Sequence, residues 1–153
     1  IRLSLVGSEM CIRDRRMSRV LVLMGSESDR ATMQKGVDVL EEHGVEVRVV
    51  VSSAHREPVK TAELASGAAE AGFGVVICGA GLSAALPGVV AAHTQLPVIG
   101  VPVSAGTLGG LDALLSIAQM PPGVPVAAVG IDNARNAAHL ALRILGRTGR
   151  ADA

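Results

Sequence analysis

Short apolar runs recur along the chain, each closed by glycine, serine or proline. Longer stretches between them repeat their apolar residues at helical spacing. RVLVLM (19–24) stops at Gly25 and predicts a buried strand. GSESD follows, a glycine–serine turn with Asp29 placed to cap a helix. From Arg30 to His43 the apolar positions Ala31, Met33, Val37 and Leu40 have helical spacing, and Gly44 suits the C-terminal cap. VEVRVVV (45–51) is rich in β-branched residues and predicts a second buried strand. Pro58 suits the first turn of a helix that runs to about Ala71 and stops at Gly72.

GVVIC (74–78) predicts a third strand, with GAGLSAALPG after it. PVIGVPV (97–103) predicts a fourth, followed by SAGTLGG and a helical LDALLSIAQM. PVAAVGI (125–131) predicts a fifth, and Asn133 to Leu145 a last amphipathic helix. Strand and helix alternate throughout, and continuously apolar strands belong in a parallel sheet covered on both faces. The expected fold is α/β: a doubly wound three-layer sandwich with a parallel five-stranded sheet, flavodoxin-like in kind. Such sheets bind ligands outside the carboxyl ends of their strands. GSESD, SSAHREP (52–58) and GAGLSAALPG all fall at that edge, so the three loops are expected to share one crevice.

Composition narrows the chemistry. A chain of 153 residues, 49% apolar, is one domain with a real core. Phe73 is the sole aromatic, which argues against base stacking, and 14 basic against 14 acidic residues without a basic stripe argue against a nucleic-acid partner. No apolar run approaches the ~18 residues of a membrane span, so no membrane partner is expected. Cys11 and Cys78 lie far apart without metal-ligand spacing and read as reduced, inert thiols of a cytoplasmic protein. Residues 1–16, IRLSLVGSEMCIRDRR, carry charges within their apolar part and do not read as a signal peptide. They are expected to be an extraneous tail, with residues 17–153 forming a single catalytic domain.

GSESD supplies small residues, backbone N–H groups and the hydroxyls of Ser26 and Ser28 at a helix start, an anion site in outline. Arg56 adds a bidentate donor for phosphate, and Asp29 an acceptor for ribose hydroxyls. A ribose-phosphate ligand fits this set; a bare helix cap explains Ser26, Ser28 and Asp29 equally well. His55 is the only histidine in these loops, and an imidazole exchanges protons near neutral pH. A structural role is the usual alternative, but no apolar pattern explains either His55 or the adjoining Arg56. His43, at a helix end, reads as a favourable charge there, His139 lies within the last helix, and His93, before a strand, reads as structural.

Two other motifs suggest different chemistry. GAGLSA (79–84) matches G-x-G-x-x-A after a strand, the outline of a dinucleotide site. However, Leu86-Pro87-Gly88 is expected to break the helix that must follow, and Ile99 and Gly100 stand where an acid belongs about 20 residues on. GLSAA (81–85) loosely resembles a nucleophile elbow at Ser83, but lacks its final glycine and needs Asp112 and His139 as partners.

With MGSESD, VVSSAHREP, GAG…LPG, PVIGVPV, LDALLSIAQMPPGVPVAAVGI and NA…NAA in this order, the chain resembles the N5-carboxyaminoimidazole ribonucleotide mutase family from Arg19 to Leu145. G-S-x-S-D and S-A-H-R, one per strand end, are specific as a pair. The resemblance implies a flavodoxin-like homo-octamer of purine biosynthesis, with a small ribonucleotide substrate and no metal or organic cofactor. It implies transfer of a carboxyl group from the exocyclic nitrogen to ring carbon four. Carried over by motif, Ser26, Ser28 and Asp29 resemble phosphate and ribose contacts, and Ser53 and Arg56 phosphate ligands. Ala54 would lie near the carboxylate, His55 would be the acid and base, and Gly79, Ala80 and Gly81 would match the loop that holds the migrating carboxylate.

Where the family usually has G-A-G-G-A-A-H-L-P-G, Leu82, Ser83 and Ala85 replace Gly, Ala and His. Two alternatives therefore stand beside the mutase. One is a carboxylase using aminoimidazole ribonucleotide and CO2 directly, as animal-type relatives do; the other is a non-catalytic ribonucleotide-binding module. The apolar segment 114–127, with Leu114, Leu115, Ile117, Ala118 and Met120, is expected at a subunit interface.

Overall fold

The apolar runs lie side by side as parallel strands, and the periodic stretches cover them as helices. The computed structural model describes residues 19–147; Cys11 and the tail expected over residues 1–16 lie outside them. In chain order the elements are β1 (Arg19–Met24), α1 (Arg30–Glu42), β2 (Glu46–Val51), α2 (Pro58–Gly67) and β3 (Phe73–Ala80). There follow α3 (Leu86–His93), β4 (Val98–Pro102), α4 (Leu111–Ala118), β5 (Ala127–Ala128) and α5 (Ala134–Ile144). The sheet order is β2-β1-β3-β4-β5, all parallel, which is the flavodoxin-like order. The chain reverses its direction of travel across the sheet between β1 and β3, so their carboxyl ends diverge into loops on opposite faces and leave a crevice.

Alternation along the strands divides the core in two. Val20, Val22 and Met24 of β1 face Met33, Val37 and Leu40 of α1 and Ala137 and Ala141 of α5. Leu21 and Leu23 point the other way, into a second core with Ala65, Phe73, Val90 and Ile117. Gly36 is buried where α1 meets α5. A Cβ there would lie 2.6 Å from the Ala134 carbonyl oxygen, so the two helices approach as closely as they do because the side chain is absent. Ala31, expected on the apolar stripe of α1, is exposed. Gly44 ends α1 as expected: it has φ 68°, and Val45 N–H donates to the Leu40 carbonyl at 3.0 Å.

Several elements depart from the sequence reading. β2 is half-exposed, because it is an edge strand with a partner on one side only. β5 is reduced from seven residues to two, both exposed, at the opposite edge. Pro125 has no N–H to give to a ladder, and beyond Ala128 the chain turns at Asp132, which has φ 56°. α2 ends at Gly67, and residues 68–72 form turns closed by Phe73 N–H to Ala68 O at 3.1 Å. Leu86-Pro87-Gly88 does not break a helix; it begins α3, since a proline in the first turn withholds no N–H that the helix needs. Ile117 is wholly buried in the domain's own core, so it is not free for a subunit interface. Leu111 and Leu115 of the same helix face outward, about half exposed (50% and 51%). Among the described residues no helix is long and apolar enough to cross a membrane.

Candidate active site

Four loops meet at the carboxyl edge of the sheet. The first, after β1, is tied to β3 by Gly25 N–H donating to the Gly79 carbonyl at 3.1 Å. Ser26 is extended and opens a short 3-10 turn over Glu27–Asp29 that leads into α1. Its Oγ accepts from Ser28 N–H at 3.3 Å and from the Ser28 hydroxyl at 2.9 Å. Asp29 Oδ2 accepts from Ser26 N–H at 3.1 Å, with the Ser28 hydroxyl 3.4 Å from Oδ1. The capping expected of Asp29 is thus done by Ser26. Asp29 already has helical backbone angles, and its carboxylate turns back to brace the cap from behind. Asp29 is only 7% exposed. Burial pushes its carboxyl above the usual range, against the opposing pull of the Ser26 N–H and the Ser28 hydroxyl.

The second loop explains the composition of SSAHREP. Ser52 is buried, and its Oγ lies 2.8 Å from Thr61 Oγ1. Thr61 donates its own hydroxyl to the Glu57 carbonyl at 3.0 Å, so the Ser52 hydroxyl is the donor of the pair. Ser53 closes the turn: its carbonyl accepts from Glu57 N–H at 2.8 Å and its Oγ from Arg56 N–H at 3.3 Å. The two serines therefore anchor and shape a turn that carries His55 and Arg56 into solvent, where both are exposed. Glu57 pairs with Lys60 at 3.0 Å rather than with its neighbour, and among the described residues Arg56 makes no ion pair.

The third loop leaves β3 after Ala80. Ser83 and Ala84 have φ of 60° and 20°, left-handed values for non-glycine residues, and the Ser83 carbonyl accepts from the Ser116 hydroxyl at 3.3 Å. The fourth, after β4, runs against it: a Cβ on Gly81 would lie 3.2 Å from Ala105 Cβ.

Together the loops enclose a crevice of about 350 Å³. Ser26, Ser28 and Asp29 line it from the first loop, and Ser53, Ala54, His55 and Arg56 from the second. Ala80 and Gly81 line it from the third. Gly79 does not; it lies beneath, where a Cβ would come 2.4 Å from Met33 Sδ. Leu82, Ala85, Leu86 and Ala105 also line the crevice. Ala105 escaped the sequence reading although SAGTLGG follows a strand at the same edge, which is the signal that placed the other loops. Leu86 was hidden by the helix break expected there.

The lining divides by chemistry. Hydroxyls and all three ionisable side chains (Asp29, His55, Arg56) come from the first two loops, while the third and fourth give alanine, glycine and leucine. Asp29 is buried and already hydrogen-bonded, whereas His55 is the exposed imidazole of the lining. Among the described residues no three His, Cys, Asp or Glu side chains gather as metal ligands. Cys78 is fully buried in β3, and burial pushes its thiol up, away from the reactive thiolate. The elbow-like arrangement around Ser83 is not assembled: Ser83 is off the crevice wall, and the His139 ring packs edge-on against His43 with centroids 6.2 Å apart.

The family model for AIR carboxylase matches residues 19–151. N5-carboxyaminoimidazole ribonucleotide mutase of Pyrococcus horikoshii is 55% identical over 125 residues, 82% of this chain and 71% of that protein. The mutase of Thermotoga maritima is 54% identical over 130 residues, 85% of this chain and 76% of that protein. The crystal structure of Treponema denticola PurE has a TM-score of 0.74 at 31% identity, covering 84% of this chain and 80% of that one. The chain belongs to the AIR carboxylase family.

Proposed function

We propose that the protein is a mutase of purine biosynthesis. It converts N5-carboxyaminoimidazole ribonucleotide to 4-carboxy-5-aminoimidazole ribonucleotide, with His55 as its acid and base. One observation carries the reading: G-S-x-S-D and S-A-H-R line a single crevice with one exposed imidazole, in a chain more than half identical to relatives bearing the mutase name.

In this reading the hydroxyls of Ser26, Ser28 and Ser53 and the guanidinium of Arg56 take the phosphate, and Asp29 takes ribose hydroxyls. The substrate's heterocycle then lies toward the alanine-lined half, near Ala54, with Ala80 and Gly81 beside the migrating carboxylate and Gly79 supporting them from below. Protonated His55 gives its proton to the exocyclic nitrogen as the N–C bond breaks and CO2 leaves. Carbon four of the electron-rich ring attacks that CO2, which the crevice holds at high effective concentration. The new C–C bond leaves a proton on carbon four; neutral His55 removes it and the ring regains its aromaticity. His55 ends protonated as it began, so the cycle consumes nothing.

The reading includes a cytoplasmic homo-octamer, supported by the outward leucines of α4, and a catalytic domain to which residues 1–16 add nothing, supported by a family match that begins at residue 19. The test is turnover by the purified protein with each ribonucleotide. Isomerisation of the N-carboxylated substrate is expected. Turnover only with the unsubstituted ribonucleotide plus bicarbonate would overturn the reading in favour of a carboxylase, and binding without turnover in favour of a binding module.

A further inference from the structure

The alanine-lined half of the crevice contains one residue that the fold does not need. Ala80, Ala84 and Leu86 are 5%, 2% and 2% exposed and belong to the core beneath. Leu82, on the same wall, is 64% exposed, a large apolar side chain left in water at the mouth of a binding crevice. It reaches across to the fourth loop. A Cβ on Gly106 would lie 2.8 Å from Leu82 Cδ2, and Gly106 has φ +61°, so the isobutyl group occupies space that only a glycine leaves open. The backbone on the other side of Leu82 is the left-handed pair Ser83 and Ala84, which sets the direction in which the loop presents it.

We infer that Leu82, seated against Gly106, seals the apolar half of the crevice and keeps released CO2 beside its acceptor carbon. The inference rests on the mutase reading above. When the N–C bond of the carbamate breaks and the nitrogen takes its proton, the products are the free amine and CO2, a small molecule without a charge by which the polar wall holds it. Two fates compete: attack by carbon four, which forms the C–C bond and then loses its proton to His55, or escape and hydration to bicarbonate. An apolar side chain at the mouth slows the second by excluding water and narrowing the exit, and so preserves the high effective concentration on which the first depends. Leu82 is the lining residue suited to this. It is outside the core, it is the largest apolar group of the wall that is exposed, and it reaches from the third loop to Gly106 of the fourth.

The experiment compares wild type with Leu82→Gly, Leu82→Met and Gly106→Ala. It starts from the N-carboxylated ribonucleotide in medium containing isotopically labelled bicarbonate, with the enzyme-free decarboxylation subtracted. The readouts are the ratio of decarboxylated ribonucleotide to isomerised product and the fraction of product carrying solvent label. Leu82→Gly is expected to raise both several-fold, because an open exit lowers the effective concentration of CO2 beside carbon four. Leu82→Met, which keeps apolar bulk, should stay near wild type. Gly106→Ala, which displaces the leucine, should leak as the glycine variant does. A merely structural role for Leu82 would lower turnover without moving either ratio. A wild-type protein that isomerises while Leu82→Gly leaks no more than it does overturns the inference alone. A wild-type protein that does not isomerise overturns the mutase reading, and this inference with it.

Discussion

Ser52 Oγ lies 2.8 Å from Thr61 Oγ1, with both residues fully buried, nine positions apart across the base of the loop that carries His55. This pair fixes the end of β2 to the first turn of α2, and therefore fixes where the imidazole emerges. Thr61→Val keeps the shape and removes the acceptor, leaving the Ser52 hydroxyl unsatisfied. A loss of about 1–3 kcal/mol in urea unfolding is expected, together with reduced turnover. Adding Ser52→Ala should restore part of the stability, since the orphaned group is then gone. Additive losses would show that the two hydroxyls do not act as a pair.

His55 is exposed, so replacing it should leave the fold intact. His55→Asn should lower isomerisation by ~100-fold or more through loss of general acid–base catalysis, with ribonucleotide binding retained in calorimetry. Turnover near the wild-type rate would remove His55 from the mechanism.

Asp29 makes a prediction with a definite sign. Burial raises its folded-state pKa above the unfolded value, so the folded protein holds the proton more tightly. Its contribution to stability is complete below the ordinary aspartate range. It is lost as pH rises through that range to the raised folded value, and constant beyond. Asp29→Asn keeps an oxygen to accept from Ser26 N–H and carries no charge. Thermal melts should therefore show the variant gaining on wild type as pH rises from acid toward neutral, then holding level, while its turnover falls. A stability difference that does not change with pH would refute this account.

Much of this arrangement was legible in the sequence, for reasons that individual residues show. β1 reads cleanly because all but its first residue are buried, so selection for apolar side chains acts on the whole run. The three principal loops were legible because a parallel sheet sends its strand ends to one edge. β5 was not: Val126 and Val129 are apolar, but they pack on the core only in part, and only Ala127 and Ala128 pair in register with β4, with Val129 N–H adding one bond to the Gly100 carbonyl. An apolar run at the edge of a sheet looks the same in sequence as one at its centre. The direction of the Ser26–Asp29 brace was hidden too, since either residue type caps a helix and only backbone angles decide which does. Ala105 gave no chemical signal at all; an alanine is recognised as a wall only once the cavity exists.

Gly36 tests the close crossing of α1 and α5. Alanine gains roughly 1 kcal/mol over glycine from helix propensity alone. At this position the added Cβ meets a backbone carbonyl at 2.6 Å, and a carbonyl cannot swing aside as a side chain does. Gly36→Ala is expected to destabilise by about 1–3 kcal/mol in denaturant titration. Gly67→Ala, which has open space around its Cβ, should be neutral or stabilising. Equal responses at the two sites would mean that the helices are free to move apart.

The outward leucines of α4 bear on assembly. Leu115 is exposed and Ile117 is not, so Leu115→Glu places a charge on the outer face without entering the domain core. Light scattering should show a smaller particle, and turnover should fall with it if subunits complete one another's crevices. A wild-type protein that is monomeric and fully active would rule out the octamer.

The division of the interior by the sheet gives the two faces unequal evolutionary freedom. Ala80, Ala84 and Leu86 are at once crevice wall and members of the second core, and Ala54 packs against that core. None of the residues in the first core lines the crevice. Substitutions between the sheet and the α1–α5 layer are therefore screened for stability alone, and compensating changes elsewhere on that face can absorb them. On the opposite face a repacking that preserves stability still displaces the reaction chamber, so natural variants there are filtered twice. Lineages of this protein should accumulate sequence divergence mainly on one side of its sheet.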